Sequence, residues 1–207
     1  MLPSYGLMAG ISLRSFLFCV RVFFRVFNRI EVKGQDRIPS SGPLIIVANH
    51  AANADPPALM SHVVPVRPAA IMTKKEVFAF APLGRLIRSW GGIPVDRNRE
   101  GGDLGALRES IDLLKNGGCI VLFPEGTRAR GRQLKPKLGV AMLAHKTGAP
   151  VLPVRIFNTE NFSKLGKITI KFGNPRKYGA SAAVDRKEAY AEFSQAIMSD
   201  IFAITED

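Results

Sequence analysis

A chain of 207 residues with 46% hydrophobic content can bury one substantial core but is too short for two full catalytic domains. Lys plus Arg outnumber Asp plus Glu by 29 to 17, a formal net charge of +12, which favours polyanionic partners such as nucleic acid, anionic lipid or phosphorylated substrates without choosing among them. Two cysteines without CxxC or metal-type spacing, three scattered histidines and the lack of any GxGxxG or P-loop pattern exclude a zinc signature and a nucleotide fingerprint, so no metal and no cofactor are expected.

The first predicted element is an amphipathic helix within residues 1–28, the most apolar part of the chain. Arg14, Arg21 and Arg25 interrupt it, so no charge-free run of the roughly 18 residues needed to span a membrane extends through it. At 100° per residue the three arginines fall within about 40° of one another, and Phe16, Leu17, Phe18, Val20, Phe23, Phe24 and Phe27 occupy the rest. That is an interfacial pattern, with phenylalanines at the acyl boundary and arginines among anionic headgroups. The alternative is a helix packed on the protein's own core or on a second subunit. A signal peptide is not expected, because a basic n-region and a small-x-small cleavage site are missing. The chain thus divides into a membrane-associating segment, 1–28, and one domain, 29–207.

Strand patterns follow at 44–48, 69–73, 92–95, 119–123, 151–156 and 167–172. Helical patterns lie between them at 57–63, 76–89 with a break at Pro82, 104–115 and 138–146, and a last helix covers 186–204. The alternation predicts a single α/β domain with a mostly parallel central sheet flanked by helices. The last 23 residues hold two basic and six acidic side chains. With their net −4 set against +12 overall, residues 1–184 carry +16, and the basic surface belongs to the body. Cys19 and Cys119 read as packing residues in a reducing compartment.

Open α/β sheets bind ligands at the carboxyl ends of their strands, and the polar motifs fall there. Asn49-His50 follows the first strand, Asp96-Arg97 the third, and Pro124-Glu125-Gly126-Thr127-Arg128 the fourth. In the run Asn49-His50-Ala51-Ala52-Asn53-Ala54-Asp55-Pro56-Pro57, residues five apart on a continuous helix would diverge by about 140°, so His50 must sit in a loop to meet Asp55. Asp55 as N-cap with Pro56 at the first helical position supplies the turn. A carboxylate on one ring nitrogen fixes the tautomer and makes the other nitrogen a better base. Without further motifs, the same spacing would suit a histidine merely satisfied by a capping aspartate. Arg97 and Arg128 are fixed cations suited to phosphate oxygens, although each alone would pass for a solvated charge.

Together these blocks resemble the glycerolipid acyltransferases that include the 1-acylglycerol-3-phosphate (lysophosphatidic acid) acyltransferases. His50 and Asp55 match the NHxxxxD block, residues 91–97 the second block, Phe123 to Arg128 the FPEGTR block, and Val151-Leu152-Pro153-Val154-Arg155 the proline-containing fourth block. The resemblance implies a glycerol-3-phosphate acyltransferase-like fold in which His50 is the base and Asp55 orients it. It also implies that Arg97, Glu125, Gly126, Thr127 and Arg128 bind the acceptor's glycerol phosphate. Lys137, or Lys135 in the same run, would add to phosphate binding, and Pro153 would shape an acyl-channel wall. Arg155 stands where many relatives carry an uncharged residue.

The reaction so implied moves a fatty acyl group from acyl-CoA or acyl carrier protein to the free hydroxyl of 1-acyl-sn-glycerol 3-phosphate, giving phosphatidic acid on the cytoplasmic side of an anionic membrane surface. Direct transfer is expected, since no GxSxG nucleophile elbow occurs. Rival readings are a different lysolipid or amino-lipid acceptor, and a non-catalytic binder of anionic lipid that needs the first helix but not His50. Nucleic acid is not an expected partner, because no interleaved aromatics or nucleic-acid module accompany the basic residues.

Overall fold

The computed structural model of the protein describes residues 7–98, 102–129, 132, 134–179 and 185–206; residues 1–6 of the predicted N-terminal helix lie outside them. Helix α1 (Leu7–Phe27) leads into β1 (Glu31–Lys33), β2 (Leu44–Ala48), α2 (Asp55–Val63), β3 (Ala70–Lys74), α3 (Ala81–Ser89) and β4 (Gly92–Val95). Then come α4 (Leu104–Lys115), β5 (Cys119–Leu122), α5 (Gly139–Thr147), β6 (Val151–Phe157), β7 (Thr169–Phe172) and α6 (Arg186–Ala203).

The strands form one seven-stranded sheet in the order β1-β7-β6-β2-β5-β3-β4. Strands β6, β2, β5, β3 and β4 run parallel, so their carboxyl ends share one edge, where the predicted polar motifs lie. Strand β7 pairs antiparallel with β6, and β1 runs parallel to β7. The α/β architecture expected from the alternation is therefore present, with one addition: three-residue β1 is too short to show a period and is defined by its pairing, Val32 opposite Ile170.

Strand β2 explains why the central strands read as unbroken apolar runs. Leu44, Ile46 and Ala48 join the core beneath α1 and α2, while Ile45 and Val47 join the core beneath α4, α5 and α6. A strand buried on both faces needs no polar alternation. The expected break at Pro82 separates a 3-10 turn, Lys75–Phe78, from α3. Proline suits that first turn because its missing N–H has no intrahelical partner to lose.

Helix α1 has two apolar faces. Leu13, Leu17 and Phe24 are buried in the sheet's own core, with Val20 packed against it. Trp90 pins the same helix by donating from Nε1 to Ser12 Oγ at 3.0 Å and stacking on Phe16 with centroids 5.0 Å apart. The opposite face leaves Met8, Ile11, Phe18, Val22 and Val26 exposed. Arg14, Arg21 and Arg25, also exposed, lie between the two faces on the helical wheel, roughly 90° from each. No described helix is long and apolar enough to cross a membrane. Cys19 is exposed, contrary to its reading as a packing residue, because it lies outside the narrow buried stripe; Cys119 is buried as expected.

Candidate active site

His50 leaves β2 into a loop and is closed in by contacts from four directions. Its Nδ1 lies 2.8 Å from Asp55 Oδ2, the pairing that the five-residue spacing suggested. The mechanism of the turn differs from expectation: the N-cap of α2 is Ala54, and Asp55 is already the first helical residue. Its carboxylate reaches back instead of forward. Oδ2 also accepts from the backbone N–H groups of Ala51 at 2.7 Å and Ala52 at 2.8 Å, and Oδ1 accepts from the Thr159 hydroxyl. Asp55 is fully buried, and these four donors are what make a buried carboxylate tolerable.

Because Asp55 acts as acceptor, the His50 Nδ1 carries the proton and Nε2 carries the lone pair. The Phe123 ring lies against the imidazole, with centroids 4.4 Å apart and planes tilted by 26°. The loop after β5 grips the His50 backbone on both sides: Glu125 Oε2 accepts from His50 N–H at 2.6 Å, and Ala129 N–H donates to the His50 carbonyl at 2.8 Å. Glu125 is 4% exposed. Burial pushes its carboxyl up to about 7, the His50 N–H lowers it, Asp55 raises it, and Arg155 lowers it.

The remaining predicted residues lie in the loops after β4 and β5. Gly126 has φ +68°, and a Cβ there would lie 3.3 Å from Lys137 Cγ, so the glycine permits both the left-handed turn and the passage of the lysine stem. Lys137 is further tied by its N–H to the Pro124 carbonyl at 2.8 Å. Lys135, the alternative, lines a cleft against α6 with Leu134, Met198 and Phe202. Thr127 is exposed and Arg128 half-buried. Arg97 is exposed, with no hydrogen bond or ion pair among the described residues, and its neighbour Asp96 is taken by Lys75 Nζ at 2.6 Å. Two strand spacings separate β4 from β5 in the sheet, so Arg97 starts about 10 Å across the sheet from the Glu125 loop.

The other histidines are elsewhere. His62 is buried with neither ring nitrogen hydrogen-bonded among the described residues, and burial followed by the charge of Arg21 lowers it to about 4. His145 lies 2.7 Å through Nδ1 from the Tyr190 hydroxyl. The Cys119 thiol is pushed up to about 12 by burial, which removes it as a nucleophile at neutral pH. What the arrangement can do is accept a proton at His50 Nε2 beside the anchored Glu125 loop. One participant escaped sequence reasoning, and another was singled out there without a role. Thr159 lies 104 positions from Asp55 with no local pattern to mark it. Asn49, although adjacent to His50, braces β6 by donating to the Ile156 carbonyl at 2.9 Å and accepting from its N–H at 2.8 Å.

Residues 29–157 match the family model described as Acyltransferase. A 1-acyl-sn-glycerol-3-phosphate acyltransferase of Borreliella burgdorferi is 33% identical over 65% of this chain and 53% of its own length. One from Bacillus subtilis is 25% identical over 86% of this chain and 89% of its own. The crystal structure of the 1-acyl-sn-glycerophosphate (LPA) acyltransferase PlsC from Thermotoga maritima superposes with a TM-score of 0.70 and 27% identity, covering 96% of this chain and 81% of that one. The chain spans about half the length of several of the curated relatives it matches.

Proposed function

The chain belongs to the acyltransferase family, and from that premise we propose that it acylates the free hydroxyl of 1-acyl-sn-glycerol 3-phosphate at a membrane surface, using acyl-CoA or acyl carrier protein as donor. The observation that carries the reading is the His50–Asp55 pair at 2.8 Å, held against the Glu125 loop. In the reaction, His50 Nε2 takes the acceptor's hydroxyl proton as the oxygen attacks the thioester carbonyl. Asp55 stabilises the imidazolium that forms, and that imidazolium returns the proton to the departing thiolate. One ester forms, one thioester breaks, and no acyl-enzyme is required. General-base help of this kind contributes roughly 100- to 10,000-fold, and orientation supplies much of the remainder.

The acceptor phosphate sits among Arg97, Arg128 and Lys137, with Gly126 and Thr127 forming the near wall. Arg97→Ala and Arg128→Ala should each raise the acceptor KM by about 10- to 150-fold, the value of roughly 1.5–3 kcal/mol for a hydrogen bond to a charged group. Steady-state kinetics with donor and acceptor varied separately checks this. A change confined to the donor KM would assign these cations to the wrong substrate.

The exposed face of α1 supports docking on an anionic, cytoplasm-facing membrane surface, with residues 1–28 as the associating segment and 29–207 as the catalytic domain. Deleting the helix would also strip Leu13, Leu17 and Phe24 from the core, so the informative change is on the outer face. Replacing Phe18, Val22 and Val26 together by Glu should cut sedimentation with anionic vesicles at least about tenfold, because apolar insertion is lost and headgroup repulsion gained. Turnover of a short, water-soluble lysophosphatidate should be retained. Undiminished sedimentation by that variant would remove this face from the account.

A further inference from the structure

The donors around Asp55 are shared unequally between its two oxygens. Oδ2 takes three of them, the His50 ring at 2.8 Å and the N–H groups of Ala51 and Ala52 at 2.7 and 2.8 Å. Oδ1 takes the Thr159 hydroxyl alone among the described residues. Asp55 and Thr159 are both fully buried, so bulk water does not reach the pair. The terminal torsion of a carboxylate is broad and twofold, and a partial turn would carry Oδ1 towards the backbone donors while Oδ2 moved off the imidazole. Against that turn stands the hydroxyl on Oδ1, because a buried acceptor that loses its donor is costly.

Thr159 opens the 3-10 turn Thr159–Lys164, and that turn is tied to several distant parts of the chain. Before it, Asn49 clamps Ile156 of β6 through both backbone groups, at 2.9 and 2.8 Å. Asn158, in the left-handed region at φ +65°, reverses the chain and donates from Nδ2 to Glu206 Oε1, beyond α6, at 2.8 Å. The same Glu206 oxygen accepts from the Thr169 hydroxyl of β7 at 3.2 Å. Past the turn, Asn28 at the end of α1 donates to the Phe162 and Gly166 carbonyls at 2.9 and 3.1 Å. Asn28, Asn158, Thr159, Thr169 and Glu206 all lie outside the matched residues 29–157. We propose that Thr159 is a positioning residue for the proton transfer: its hydroxyl assigns Asp55 Oδ2 to the imidazole, and the tie through Asn158, Glu206 and Thr169 holds the hydroxyl in place. The proposal rests on the acyl-transfer reading above. It makes the turn after β6 and the segment after α6 a second layer of support behind the His50–Asp55 pair.

The test compares Thr159→Val, which keeps the side chain's shape without its donor, with Thr159→Ser, which restores the donor. Steady-state kinetics on a soluble short-chain lysophosphatidate are read beside NMR of the His50 ring in protein carrying nitrogen-15 histidine. Thr159→Val should lower kcat at least about tenfold, because a small misplacement of a catalytic group is costly, and should leave the KM of donor and acceptor unchanged. Thr159→Ser should return kcat close to the wild-type value. The His50 Nδ1 proton should exchange with water at least about fivefold faster in Thr159→Val, since its hydrogen bond opens more often, and at the wild-type rate in Thr159→Ser. In a His50→Ala background, Thr159→Val should cost no further activity, because groups that act through one base are not additive. A rise in KM without a fall in kcat, a serine that fails to rescue, an unaltered Nδ1 exchange, or a further loss in the His50→Ala background would each overturn the proposal. Should Thr159→Val not fold, Glu206→Ala, a change at an exposed side chain, carries the same test. A smaller fall in kcat and a smaller gain in Nδ1 exchange are expected there, and no change in either counts against the proposal. The exchange measurement needs no turnover, so a wild-type chain that transfers no acyl group would defeat the acyl-transfer reading while leaving the coupling of Thr159 to His50 separately measured.

Discussion

His50→Ala is expected to give a folded protein whose acyl transfer is slower by at least about 100-fold, the lower bound for loss of a positioned general base. The fold should tolerate the change because the loop is held through the backbone. Glu125 bonds the residue's N–H and Ala129 bonds its carbonyl, and neither contact uses the imidazole. Asp55 also keeps its partners Ala51, Ala52 and Thr159. What disappears is the lone pair at Nε2. Thermal unfolding within a few degrees of wild type, measured beside the transfer rate, separates loss of chemistry from loss of fold. Near-normal transfer would remove His50 as the base, whereas a wild-type chain that binds anionic vesicles but transfers nothing would favour a non-catalytic lipid binder.

Asp55→Ala should behave differently, losing transfer and stability together. The fully buried carboxylate serves one imidazole, two backbone N–H groups and one hydroxyl, and alanine leaves those donors buried without an acceptor. Each unsatisfied donor costs roughly 1–3 kcal/mol. Water entering the gap will recover part of this, so a net loss of about 3 kcal/mol is expected, equivalent to roughly 6–12 °C in Tm for a chain of this size. Transfer should fall at least about 100-fold, because His50 loses both its tautomer control and the partner of its imidazolium. Combined with His50→Ala, the second change should add little further to the kinetic loss, since the two groups act as a unit. A multiplicative loss in the double variant would mean that Asp55 acts on the reaction independently of His50.

Much of this site was legible because chemistry in a parallel sheet is tied to strand ends. Runs such as 44–48 and 119–123 announce strands buried on both faces, and the polar residues after them had only one edge to occupy. The matched blocks then gave His50, Asp55 and the 125–128 loop their neighbours. Less legible was anything fixed by pairing across the chain. Strand β1 exists through β7; Thr159 reaches Asp55 from 104 positions away; and Glu125 Oε2 accepts from a backbone N–H 75 positions earlier, a contact that leaves its expected role toward the acceptor untouched. Helix α1 posed another problem. A single hydrophobic pattern there contains two faces, and which one packs depends on where Trp90, Asn28 and α2 lie in three dimensions. Asn28 fixes the far end of the helix by donating to the Phe162 carbonyl at 2.9 Å and the Gly166 carbonyl at 3.1 Å. The N-cap of α2 was misplaced by one residue because Asp55 spends its carboxylate on the preceding loop instead of on its own helix.

The most direct measurement is a mass-spectrometric screen of the purified full chain with acyl-CoA and acyl carrier protein donors in turn. The acceptors would be 1-acyl-sn-glycerol 3-phosphate, lysophosphatidylcholine, glycerol 3-phosphate and an amino-lipid. If Arg97, Arg128 and Lys137 bind the acceptor phosphate as proposed, one acyl mass is added to 1-acyl-sn-glycerol 3-phosphate, giving phosphatidic acid, with the acceptors that lack a terminal phosphate far behind. Product formed only from acceptors lacking a terminal phosphate, or no product from 1-acyl-sn-glycerol 3-phosphate with either donor, would contradict the account.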